Sequence, residues 1–259
     1  MITSTHNPRI QWIRKLQAQA PARLSEGVFV IEGIRLVEEA MQAGWQPTLV
    51  LYTSDLSSRG QTLLQRLEPS IMELVSPSVM KSASDTQAPQ GILAVFPQRA
   101  LPLPADLNFI LLLDAIRDPG NLGTILRTAV ATGVQGVILS PDCVDPYSPK
   151  VLRSAMGAHF RLPLVVLEWK EIQSLLKPGS APGLKIYLSD VESSMPYTQV
   201  DFRPPIALII GGEAEGAGTE VSSLADARLH IPMAVGVESL NAAVAAAVLM
   251  FEVVRQRSL

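Results

Sequence analysis

Residues 109–139 read FILLLDAIRDPGNLGTILRTAVATGVQGVIL, and this stretch decides the architecture. Phe109 to Asp114 is an unbroken apolar run of strand length, Pro119 and Gly120 make a turn, and the helix that follows ends near Gly133. Val134 to Leu139 is a second apolar strand. A strand with one wet face alternates apolar and polar residues, so two continuous apolar strands joined by a helix imply a parallel sheet covered on both faces. The fold class is α/β.

Working toward the C-terminus, further strands are expected at Leu162 to Leu167, Lys185 to Leu188, Ile206 to Ile210 and His230 to Pro232. A last helix, Ser239 to about Arg255, is apolar nearly all round, and Ala242, Ala243, Ala245, Ala246 and Ala247 leave little side chain on it. Such a helix must be buried, and a dimer interface is one way to bury it. Toward the N-terminus, Pro97 to Asn108 (PQRALPLPADLN) carries three prolines and no hydrophobic periodicity. It reads as a linker. Residues 1–97 then form a smaller α/β domain, 98–108 the connection and 109–259 the larger domain. In the smaller one, helices are expected at Asn7 to Gln19, Ile34 to Ala43 and Ser58 to Leu67. Its strands are expected at Val28 to Ile31, Thr48 to Tyr52, Ile71 to Val75 and Gly91 to Phe96.

Composition narrows the function classes. With 259 residues, 47% hydrophobic and 17% charged, the chain can bury large cores and is neither disordered nor fibrous. The single Cys143 cannot pair internally, and His6, His159 and His230 have no metal-ligand spacing, so no metal site is expected. The start, MITSTHNPRIQWIRKLQ, has no apolar signal region, and Ala242 to Val254 is too short to span a bilayer. A soluble cytoplasmic protein without a membrane partner is the expectation. A net charge of −3 argues against a protein that coats nucleic acid non-specifically. A local site stays open, because Arg9, Arg14, Lys15 and Arg23 meet no acidic residue among the first 23. A solvated helix face accounts for that cluster equally well.

Three clusters at strand ends carry the chemistry: Asn121 to Arg127 (NLGTILR), Gly211 to Gly218 (GGEAEGAG) and Ile231 to Asn241 (IPMAVGVESLN). Strand ends are where open α/β sheets bind ligands. In the first, Asn121 can cap exposed amides, and Arg127 lies roughly 9 Å further along the axis and about 120° around it, out of direct reach. In the second, the glycines let backbone approach a flat ligand while Glu213 or Glu215 accepts hydrogen bonds; the spacing is neither a dinucleotide fingerprint nor a P-loop. In the third, Ser239 is a natural N-cap, Asn241 falls in the first helical turn, and Pro232 and Gly236 leave backbone groups open to a purine ring. Each cluster alone also has a plain structural reading.

In this order and spacing the three resemble the SpoU branch of the SPOUT RNA methyltransferases, the TrmH family. Residues 110–256 resemble the catalytic domain, and HNPRI, RKL, FVIEGIRLVEEA and APQGILAVF within residues 6–96 resemble the substrate-binding domain that precedes it. The resemblance implies S-adenosylmethionine as methyl donor, an RNA ribose 2′-hydroxyl as acceptor, a homodimer with shared sites, and a trefoil knot in the C-terminal sheet. It also implies catalytic roles for Asn121, Arg127, Glu213, Ser239 and Asn241, with cofactor contacts at Gly211, Ile231, Met233 and Leu240. RNA contacts are expected at Arg9, Arg14, Lys15, Arg23 and Arg153. One position departs: Gly212 stands where the family commonly has asparagine. Ribosomal RNA is the expected substrate. Transfer RNA, or a silent RNA-binding protein on the same scaffold, remains the alternative; a Rossmann dehydrogenase lacks its glycine fingerprint here.

Overall fold

The computed structural model describes residues 1–176, 183–212 and 218–258, apart from the side chain of Thr219. The chain forms two compact units, Met1–Arg99 with Tyr147–Phe160, and Ala100–Pro146 with Arg161–Leu259.

The first unit runs α1 (Pro8–Ala18), α2 (Ala20–Glu26), β1 (Val28–Glu32), α3 (Ile34–Gln42), β2 (Leu49–Tyr52), α4 (Ser58–Leu64), β3 (Met72–Leu74), α5 (Pro77–Ala83) and β4 (Ile92–Pro97). Its sheet has the order β1-β4-β2-β3, with β4 antiparallel to both neighbours and β2 parallel to β3. Helix α1 starts where the Asn7 side chain accepts from the Arg9 amide, and Pro8 supplies its first turn. Ile10, Ile13 and Leu16 recur at helical spacing and bury against Val30, Leu51, Val79 and Leu93. That one apolar stripe holds the helix on the sheet.

The second unit begins with β5 (Phe109–Leu113), α6 (Pro119–Ala131) and β6 (Gly136–Leu139), and the chain then passes through α7 (Pro149–Ala155). It resumes with β7 (Leu164–Val166), α8 (Trp169–Leu176), β8 (Lys185–Ser189), β9 (Ile206–Ile210), α9 (Thr219–Leu224), β10 (Ala227–Leu229) and α10 (Ala242–Arg257). The sheet order is β10-β8-β9-β5-β6-β7 and every pairing is parallel. Strand β5 sits centrally, matched residue for residue to β9 from Phe109 opposite Ile206 to Leu113 opposite Ile210. All five of its residues are buried, as the apolar run requires. Because the strands are parallel, β5, β8, β9 and β10 all deliver their carboxyl ends to one edge.

Three local readings differ from the structure. The segment Tyr147–Phe160, expected within the larger domain, packs with the first unit. Its reason is aromatic: Phe29 lies 5.0 Å from the Tyr147 ring, Trp45 meets Phe160 edge to face at 5.6 Å, and the Trp45 indole donates to the Phe160 carbonyl at 3.3 Å. The strand expected at His230 to Pro232 instead ends at Leu229, and Asp190 N–H donates to the Leu229 carbonyl. Helix α10 is not buried all round. Ala243, Ala246, Leu249, Met250 and Val253 are covered, whereas Val244 and Phe251 are 49% and 54% exposed.

Candidate active site

The turn after β5 fixes the first cluster. Asp118, not Asn121, caps α6: its carboxylate accepts from the Asn121 amide at 2.8 Å, with Pro119 in the first helical position. Asn121 therefore lies inside the first turn and its carboxamide is turned to other work. The cap of α10 is likewise displaced. Asn241 caps it, its side-chain oxygen accepting from Ala243 N–H at 3.0 Å and Val244 N–H at 3.3 Å, so Ser239 and Leu240 stay outside the helix. The Asn241 amide then donates to the Asn121 side-chain oxygen at 2.9 Å. One bond ties the first cluster to the third.

A second link joins the end of β5 to the second cluster. The buried carboxylate of Asp114, at the end of β5, accepts from Gly218 N–H at 3.2 Å. Asp114 is not among the residues that the motifs mark; a carboxylate closing a wholly apolar strand is the signal that could have found it. Ala115, next in the chain, takes φ +51° and donates its N–H to the Ser140 hydroxyl at 3.1 Å. Gly212 packs on this turn so closely that a Cβ there would stand 2.4 Å from the Ala115 carbonyl oxygen. An asparagine at this position would require the Ala115 backbone to shift. Beneath the turn, burial pushes the Cys143 thiol up from its ordinary pKa, and the thiol donates to the Leu113 carbonyl at 3.3 Å. Both effects favour the protonated thiol.

At the carboxyl ends of β8, β9 and β10 lies a cavity of about 200 Å³. Its walls include all four expected cofactor residues, Gly211, Ile231, Met233 and Leu240, together with Ser239. Asp190 and His230 also line it, and the sequence motifs single out neither as a site residue. The Nδ1 of His230 is buried with no hydrogen-bond partner among the described residues. The chemistry of this wall suits an adenosyl-type ligand: glycine backbone and apolar side chains for flat rings, a carboxylate for hydroxyl donors, and an orphaned ring nitrogen.

Arg127 stands on the exposed side of α6, does not line the cavity, and has no ion pair among the described residues. Glu213 lies outside the described residues. Among the described residues no group of His, Cys, Asp or Glu could hold a metal ion, and no helix is long and apolar enough to cross a membrane.

The expected RNA contacts do not form one free patch. Arg23 is 4% exposed and donates to the Gln17 carbonyl at 3.0 Å, closing the end of α1. It is a structural residue. Arg9 pairs with Glu73, and Arg153 with Asp85 at 2.8 Å. Arg14 and Lys15 remain exposed on α1.

Comparison with known proteins agrees with this geometry. Residues 108–251 match the SpoU rRNA Methylase family, and residues 7–94 match the MRM3-like substrate binding domain. The chain belongs to the SpoU rRNA methylase family. A similar protein is the 23S rRNA (guanosine(2553)-2′-O)-methyltransferase RlmP of Bacillus subtilis, 34% identical over 96% of this chain and 97% of the relative. An uncharacterized tRNA/rRNA methyltransferase of Synechocystis is 37% identical over 99% and 94%. Among solved structures, AviRb of Streptomyces viridochromogenes in complex with the cofactor AdoMet superposes with a TM-score of 0.90 at 30% identity, covering 98% of this chain and 99% of that one. The α/β architecture with its parallel-sheet domain is that of the SpoU methyltransferases.

Proposed function

We propose that this member of the SpoU family transfers a methyl group from S-adenosylmethionine to a ribose 2′-hydroxyl of ribosomal RNA, in the cytoplasm. The observation that carries the reading is the cavity whose walls combine Gly211, Ile231, Met233 and Leu240 at the ends of adjoining parallel strands. Full-length similarity to ribosomal RNA enzymes supports the substrate class. When bound, S-adenosylmethionine supplies an electrophilic methyl group on a sulfonium.

The chain's own part is positioning and charge management. Arg127 acts as an anchor: a guanidinium offers only N–H donors and no acceptor, so it binds an RNA phosphate and polarises the hydroxyl beside it. Asn241 and Asn121, linked side chain to side chain, keep α10 and α6 in register. Glu213 and Ser239 complete the acceptor side in this reading, and Arg14 and Lys15 contribute phosphate contacts.

The protein acts as a homodimer. Val244 and Phe251 form an exposed apolar stripe on α10, a face that a second copy would cover. The trefoil knot of the SPOUT family belongs to the same reading. Its support is the full-length likeness to SpoU methyltransferase structures.

Incubating the protein with labelled S-adenosylmethionine and ribosomal RNA, and mapping ribose methylation in cells with and without the gene, tests the proposal. One nucleotide should lose its 2′-methyl group when the gene is removed. An unchanged map, with no transfer in vitro, would overturn it.

A further inference from the structure

The first unit contains a cavity of its own, about 380 Å³, at the carboxyl ends of the parallel pair β2 and β3. Its polar lining is compact: Thr53 and Asp55 follow β2, Lys81 comes from α5, and Gln90 precedes β4. Met80 and Gly91 supply apolar and open wall. None of these residues is used in the methyl-transfer reading.

Two features mark it as a built site. Thr53 is only 3% exposed and its hydroxyl has no hydrogen-bond partner among the described residues. A buried hydroxyl without a partner is a cost that a ligand can relieve. Gly91 holds φ +77°, and a Cβ there would stand 2.4 Å from that hydroxyl, so the glycine keeps the space beside Thr53 clear. Gln90 is already oriented. Its side-chain oxygen accepts from Ile34 N–H at 3.2 Å, so its Nε2 is the group left to donate.

The donor set selects the ligand. A free phosphate is disfavoured by the Asp55 carboxylate, which only accepts. A flat group with two adjacent N–H donors on one edge and acceptors on another matches a lining that combines the Asp55 carboxylate with the donors of Gln90 and Lys81. Among nucleobases guanine alone presents that pair of donors, N1–H and N2–H, with O6 and N7 as acceptors. Single-stranded RNA is read through such edges. We propose that this cavity takes one unstacked guanine of the RNA substrate, with Asp55 as the specificity-determining residue. The inference rests on the RNA methyltransferase reading.

The full chain is titrated with short uridine oligonucleotides carrying one central guanosine, adenosine or cytidine, following the backbone amide signals of Thr53, Asp55 and Gly91. Guanosine should bind at least about tenfold tighter than the others and shift those signals. Asp55→Asn should remove the preference while leaving S-adenosylmethionine binding unchanged. Thr53→Val should weaken guanosine binding without lowering the melting temperature, because the hydroxyl it removes bonds to no described residue. Equal binding of the three oligonucleotides, or an Asp55→Asn variant that keeps the preference, overturns the assignment. Methyl transfer by the unaltered protein to whole ribosomal RNA is measured alongside. Its presence with no guanosine preference sinks the pocket alone, whereas its absence sinks the enzyme reading.

Discussion

Asn241 donates its side-chain amide to the side-chain oxygen of Asn121 at 2.9 Å, across 120 positions of sequence. Each asparagine sits at the first turn of a helix, and Asn241 also caps its own with two further bonds. Leu240 and Ala242, its chain neighbours, line the cavity. The bond thus couples the placement of α6, which carries Arg127, to the wall that would hold the cofactor.

Separating the two roles of Asn241 is feasible. Asn241→Ala should remove the cap and cost about 0.5–2 kcal/mol of stability. Asn241→Ser keeps a capping oxygen but cannot reach Asn121 with an amide, so stability should stay close to the parent while turnover falls. Denaturant unfolding and methyl-transfer rates on both variants check this. Equal turnover in the serine variant would reduce the bond to a structural tie.

Arg127→Ala should lower methyl transfer by more than about a hundredfold, equivalent to about 2.7 kcal/mol of transition-state stabilisation. Cofactor binding should persist, since Arg127 does not line the cavity. Calorimetric titration with S-adenosylmethionine beside rate measurements makes the distinction. A variant that keeps most of its turnover removes Arg127 from the mechanism.

Gly212→Ala places a methyl group 2.4 Å from the Ala115 carbonyl oxygen, in a turn already held at φ +51°. Backbone must move, at a cost of about 1–3 kcal/mol. The thermal midpoint should drop and S-adenosylmethionine should bind more weakly, because Gly211 and Gly212 form part of the cavity wall.

Phe251→Asp tests the dimer. Phe251 is more than half exposed, so the charge should leave the folded subunit within about 0.5 kcal/mol of the parent. Sedimentation should nevertheless show the parent as a dimer and the variant as a monomer. A monomeric, active parent protein would remove the shared-site model.

Arg14 and Lys15 are the members of the N-terminal basic cluster that stay exposed and outside any ion pair among the described residues, since Arg23 is buried and Arg9 is paired with Glu73. Replacing both with alanine should weaken RNA binding and reduce its salt slope by up to about 0.7–0.9 for each phosphate that is no longer neutralised. Affinity measured from low to moderate salt decides it. An unchanged slope would make the pair a solvated helix face.

Local pattern alone determined the α/β class, because two wholly apolar strands joined by a helix are satisfied inside a parallel sheet covered on both faces, and Ile206 to Ile210 begins and ends where its apolar residues do. Four residues of the cavity wall were legible too, since Gly211, Ile231, Met233 and Leu240 fall in motifs whose order is specific to one family. Residues chosen by distant partners were not legible. Both Asp118 and Asn121 are good capping residues, and both Ser239 and Asn241 are; Pro119 settles the first choice and a carboxamide 120 positions away accompanies the second. Arg23 looked like part of a basic surface until helix packing turned it inward to the carbonyls ending α1. Tyr147 and Phe160 joined the first unit because Phe29 and Trp45 offer aromatic faces there. Periodicity and capping are properties of neighbouring residues and can be read in one dimension. Burial of a particular side chain, the closeness of Gly212 to Ala115 and the bond between two remote asparagines arise only when the folded chain brings separate segments together.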